Sequence, residues 1–166
     1  MSIENPERLL SLQDSLILFQ GDNEGVLAAL AVANNNVAKK YINQGEYSLA
    51  VNHFSKALSL NETNTESKYG LLLAEGRVLV KKGNKNGIWD AIEKYSKASN
   101  FFPDSGEPFY LTALAYTKLG DTDFDLILES YEKSLSLELD ERLRADVVKK
   151  YQNAKKRKTK LDSFWK

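Results

Sequence analysis

Apolar residues recur three and four positions apart along nearly the whole chain, the spacing of amphipathic helices rather than the alternation of strands. Five of the nine glycines, Gly21, Gly45, Gly83, Gly87 and Gly120, sit at or near the end of such a segment. A residue without a β-carbon enters the left-handed backbone region cheaply, so a glycine there suits a helix C-terminal cap. The pattern predicts an all-α chain of at least seven helices joined by short turns.

The predicted helices come in pairs, and the pairs repeat. A small residue, an aromatic four later and a small residue three after that occur at Ala50, Phe54 and Ala57. The spacing returns at Ala91, Tyr95 and Ala98, and with substitutions at Ile127, Tyr131 and Ser134. Each triplet follows a segment that ends in glycine: Tyr41 to Gly45, Leu79 to Gly83, and Tyr116 to Gly120. Small residues let two helices approach closely, and the aromatic rings fill the space beside them.

This pattern resembles the tetratricopeptide repeat (TPR) family, whose motif adds a small residue and a tyrosine in the first helix and a proline after the second. The matching residues are Ala38, Tyr41, Ala50, Phe54 and Ala57 in the first copy, with Glu62 in place of proline. They are Gly76, Leu79, Ala91, Tyr95, Ala98 and Pro103 in the second. In the third they are Ala113, Tyr116, Ile127, Tyr131 and Ser134, with Leu139 in place of proline. Departures from the ~34-residue period fall in expected turns, around Asn84-Lys85-Asn86 and Thr122-Asp123. The longer first link contains Thr63 and Glu66, spaced as a capping box that starts the next helix early. The resemblance implies a right-handed superhelical stack of helix-turn-helix repeats with terminal capping helices. On that basis residues 1–166 form a single TPR domain. Its parts are an N-terminal capping region (1–30), three repeats (31–64, 65–105, 106–139) and a C-terminal capping helix with a basic and aromatic tail (140–166).

The ends suit capping, because a stacked repeat leaves an apolar face open at each end. Asn5-Pro6-Glu7 reads as a helix start, with Leu9, Leu12, Leu16 and Phe19 on one face up to Gly21. The next segment, from Asp22, reads either as one helix through Gln44 or as two broken at Asn34-Asn35-Asn36. At the other end Val147, Tyr151, Ala154, Lys158, Leu161 and Trp165 keep helical spacing.

Composition narrows function more than fold. The 23 basic and 23 acidic side chains balance, leaving no long-range field for phosphates, so no nucleic-acid partner is expected. There are no cysteines, which removes disulfides, thiolate metal sites and a cysteine nucleophile. The apolar runs fall short of the ~20 residues that cross a bilayer, and the first residues lack a signal-peptide pattern, so no membrane insertion and a cytoplasmic location are expected. His53, the single histidine, has only Asn52 and Ser55 near it in sequence, too little for acid-base catalysis or metal binding. With no phosphate loop, dinucleotide fingerprint or paired metal-ligand spacing, the expectation is a non-enzymatic chain without cofactor or metal. The basic run Lys155 to Lys160 is expected at a helix C-terminus, where cations favour the negative end of the dipole, with a nuclear-localisation or nucleic-acid patch as the alternative.

The resemblance implies a concave groove, lined by the first helices, that grips a peptide or a partner's helix. By alignment it is lined by Asn35, Lys39 and Asn43, then Leu73, Arg77 and Lys81, then Tyr110, Leu111, Leu114 and Lys118. The four cations there face a single acid, Glu107, which points to a protein partner with acidic residues. The co-chaperone subgroup that clamps a terminal carboxylate is a poor match. Its clamp positions fall here on Asn35, Lys39, Ala74, Glu107 and Leu111, so the needed charges are missing or reversed. The leading expectation is an adaptor for another protein. The alternative is a homo-oligomer assembling through its terminal helices or through Leu161, Phe164 and Trp165.

Overall fold

Asn5 places its side-chain oxygen 3.0 Å from the Arg8 amide, and Pro6 supplies the preset φ of a first turn, so a helix starts where the sequence signals it. The computed structural model describes residues 4–20, 23–120 and 123–164. Among these lie nine α-helices: α1 (Pro6–Ser11), α2 (Gln13–Gln20), α3 (Glu24–Gln44), α4 (Tyr47–Leu60), α5 (Thr65–Lys82), α6 (Lys85–Ser99), α7 (Glu107–Leu119), α8 (Phe124–Leu135) and α9 (Glu141–Phe164). The fold is an all-α array of helix-turn-helix repeats, and the only β feature among the described residues is an isolated parallel bridge between Ser105 and Glu138. The chain divides into two compact units, Met1–Val78 and Leu79–Lys166.

In the first unit α1 and α2 pack on α3, and α3 packs on α4. Its core is Ala38, Ala50, Phe54 and Ala74, with Tyr41, Ile42, Val51 and Leu71 against it. α3 is a single helix: Asn34 and Asn35 are buried inside it and no break occurs at the asparagines. It ends on Gly45 at φ 77°, the left-handed conformation in which a β-carbon would clash with the backbone. The expected single face from Leu9 to Phe19 does not form. Leu12 closes α1 with φ −102° and ψ 2°, its amide donating to the carbonyls of Leu9 and Leu10, and this change of direction turns Leu12 and Phe19 into solvent. Gly21 lies outside the described residues.

The start of α5 is also corrected. Asn64, not Thr63, is the cap: its Oδ1 accepts from the Ser67 amide at 2.8 Å, while the Thr63 hydroxyl donates to Asn61. Glu66 does not complete a capping box, because its carboxylate is held by α3 instead.

In the second unit α6 packs on α7, α7 on α8 and α8 on α9. The repeat positions supply the core: Ala91, Tyr95, Ala98, Ala113, Ile127, Tyr131 and Ser134 are all buried. The stretch Gly83 to Gly87 is not a turn throughout. Asn84 caps α6 by accepting from the Gly87 amide at 2.7 Å, so Gly87 lies buried in the first helical turn. The turns after α6 and α8 are pinned together: Gly106 donates to the Glu138 carbonyl at 2.8 Å, and Glu138 donates to the Asp104 carbonyl at 2.7 Å. On α9, capped by Asp140, Val147 and Ala154 are buried, as their spacing predicts. The basic run does not lie in the last turn, because α9 continues to Phe164. Its cations answer α8 instead: Lys158 meets Asp125 at 2.5 Å, and Arg157 lies over the Phe124 ring.

Candidate functional site

The first helices carry the residues expected to line a groove, and their side chains divide sharply. In the first unit Asn35 is only 2% exposed. Its Nδ2 donates to Glu66 Oε2 at 2.8 Å, and its Oδ1 accepts from the Ser67 hydroxyl at 3.3 Å. Lys39, one turn on, pairs with the other oxygen of the same carboxylate. Glu66 therefore stands against these residues as an acid that the alignment omitted. Asn43 is exposed. Leu73 is 4% exposed and belongs to the core. The Arg77 guanidinium lies 5.6 Å from the Tyr47 ring centroid, half-buried.

In the second unit Tyr110 and Leu111 are 6% and 4% exposed, so they too are core residues rather than surface. The Tyr110 hydroxyl donates to Asp146 of α9, which draws the side chain away from solvent. Leu114 is half-buried, and Lys81 and Lys118 are exposed. Lys118 Nζ donates to the Val80 carbonyl at 2.8 Å. That bond holds the ammonium of α7 beside the last turn of α5, which carries Lys81 and Lys82. Cations complement the exposed carbonyls at a helix C-terminus, and Lys118 fills that role here from a neighbouring helix.

The proposed self-association residues are placed in part. Leu161 is 41% exposed and Phe164 79%, whereas Trp165 lies outside the described residues. Sequence reasoning missed a second exposed apolar group, Ile17, Leu18 and Phe19 on α2, with Leu18 and Phe19 each 81% exposed. The signal was present as four apolar residues in a row, Leu16 to Phe19, more than one helix face can bury.

His53 is committed to structure. Its Nδ1 lies 2.9 Å from Asn34 Oδ1, and its ring stacks on Tyr41 with centroids 5.5 Å apart. Burial, and secondarily the Lys56 ammonium, pushes its pKa below the usual imidazole value. The fold thus favours the neutral ring, so this contribution to stability is present above the unfolded value of about 6.5 and is lost as pH falls through it. The melting temperature should drop as pH falls from about 7.5 to about 5, and His53→Gln should flatten that slope. Equal slopes in thermal melts of the two chains would refute it.

Among the described residues no three or more His, Asp or Glu side chains are grouped to hold a metal ion, and no helix is long and apolar enough to cross a membrane. An open cavity of about 860 Å³ lies between the turns after α6 and α8. Its Arg144 guanidinium is already bound to the carbonyls of Leu135 and Leu137, at 3.0 and 2.9 Å.

No protein-family profile matches the chain, and no curated protein matches it significantly. Solved structures do. MamA from Desulfovibrio magneticus RS-1, residues 41 to the end, is 22% identical over 96% of this chain and 85% of that one, with a TM-score of 0.51. The ArsTM double mutant of RS-1 MamA is 19% identical over 92% and 86%, with a TM-score of 0.48. A further crystal structure of MamA is 19% identical over 98% of both chains, with a TM-score of 0.47. The first of these establishes a shared all-helical fold, and at that identity the fold alone.

Proposed function

We propose that the chain is a TPR-type scaffold without enzymatic activity, and that it recognises an acidic peptide or helix of another protein on the exposed faces of its first helices. The observation that carries this reading is the cation cluster of the second unit. Lys118 is bonded to the Val80 carbonyl, beside the turn that bears Lys81 and Lys82. In a chain of zero formal charge, the Lys118 ammonium held against a helix turn whose sequence carries Lys81 and Lys82 makes a local field that suits carboxylates. Leu114, one turn before Lys118 on the same helix face, offers the apolar contact that charge alone does not provide. The first unit supports the same chemistry, since Asn35 and Lys39 already hold a carboxylate, that of Glu66. Asn43, exposed one turn beyond Lys39, adds an amide able to bond a peptide backbone.

Peptides selected against the chain from a random display library are expected to be enriched in Asp and Glu. Lys81→Glu with Lys118→Glu should weaken a selected peptide at least tenfold, ~1.4 kcal/mol, with helix content unchanged. The same reversals at Lys56 and Lys97, on α4 and α6, should do little. No acidic enrichment, or equal losses from the two pairs in fluorescence anisotropy titrations, would rule the site out.

A further inference from the structure

The two terminal regions of this neutral chain carry opposite charge, and each exposes large apolar side chains. Residues 1–24 hold five acidic side chains against one basic, and residues 141–164 hold nine basic against three acidic. At the acidic end Leu18 and Phe19 project from α2, one turn beyond exposed Asp14. At the basic end Leu161 and Phe164 project from α9, with exposed Lys156 and Lys160 a turn or so before them. Exposed aliphatic and aromatic residues grouped in this way mark contact surfaces.

We infer that the occupant of each patch is the opposite patch of a second copy of this chain, so that copies associate head to tail. Complementarity is the reason. An anionic lipid surface or nucleic acid would suit the basic end but would repel the acidic one, which exposes the same kind of side chain. A second copy satisfies both ends at once: Leu18 and Phe19 meet Leu161 and Phe164, and Asp14 meets Lys156 and Lys160. Opposite potentials steer such an encounter and fix its direction, while the apolar residues supply adhesion. The contact is heterologous, because the two surfaces differ. Every added copy therefore leaves one patch of each kind open, and assembly continues until it closes on itself or runs on.

The test uses the full chain and two variants altered only at exposed positions: Leu18→Ser with Phe19→Ser, and Leu161→Ser with Phe164→Ser. Sedimentation equilibrium of the unaltered chain should show a mass that rises with concentration and falls as salt is added. Each variant alone should be monomeric, with unchanged circular dichroism. Mixed in equal amounts they should form a dimer of one each, since one keeps the basic patch and the other the acidic patch. A monomeric unaltered chain at all concentrations overturns the inference. So does a variant that still dimerises alone, which would show a symmetric contact, or a mixture that stays monomeric. Binding of the monomeric chain to phosphatidylserine vesicles, lost with Leu161→Ser and Phe164→Ser, would assign the basic patch to lipid and also overturn it.

Discussion

Phe54→Ala is expected to lower the stability of the first unit by ~3–5 kcal/mol, the cost of truncating a ring in a packed core. Phe54 is 2% exposed and lies in the cluster of Ala38, Ala50 and Ala74. Small residues on three helices leave a slot that only a large side chain fills, and serine or water would not replace its contacts. Gly70 on α5 completes the slot: a β-carbon there would run into the Phe54 ring. Gly70→Ala alone should therefore destabilise by ~1–3 kcal/mol through overpacking, although alanine is the better helix former by ~1 kcal/mol. In the Phe54→Ala background the obstacle is gone, and Gly70→Ala should turn neutral or stabilising. The non-additivity is the sharper test. Urea denaturation of the four chains would measure it, and additive losses would show that Phe54 does not sit against Gly70.

The core was legible because its rule is local. Ala38, Ala50, Phe54, Ala91, Tyr95, Ile127 and Tyr131 stand at spacings that one helix pair needs, and the structure buries them all. The candidate site was legible only in part, since a helical period gives the phase of a side chain but not how much of the helix its neighbours cover. Leu73, Tyr110 and Leu111 have the right phase for an inner wall and are core all the same. For Tyr110 the covering element is α9, through Asp146, 36 residues away. Glu66 was mistaken for a similar reason: three residues after Thr63 it fits a capping box, while its partners Asn35 and Lys39 lie on α3. Long-range pairs of this kind leave no mark in local spacing. Leu12, where α1 ends, carries neither glycine nor proline, so the break left no punctuation to read.

Tyr131→Ala should cost the second unit ~3–5 kcal/mol and should loosen α9 in particular. The ring is 2% exposed on α8, between Tyr110 of α7 and Tyr151 of α9. Its centroid lies 6.3 Å from the first ring and 6.4 Å from the second, with interplanar angles of 43° and 62°. Tilted and edge-on contacts at these separations set the positive rim of one ring toward the negative face of the next. Removing the middle ring takes both contacts away at once, and α9 keeps only Val147 and Ala154 as fully buried anchors. α9 also carries many like charges, which favour its release once packing is weakened. Amide exchange from about Val147 to Ala154 should accelerate in Tyr131→Ala, with α3 and α4 of the first unit unaffected. Tyr131→Phe separates ring from hydroxyl. It keeps the stack, loses the bond to Thr117, and should cost only ~1 kcal/mol. Burial, partly offset by that bond, holds the phenol above its usual pKa. The raised value means that its contribution to stability is present below about pH 10 and is lost as pH rises further. Tyr131→Phe should accordingly lessen alkaline unfolding. If Tyr131→Ala and Tyr131→Phe lose equal stability in chemical denaturation, the hydroxyl rather than the ring holds α9, and the aromatic stack is not the joint.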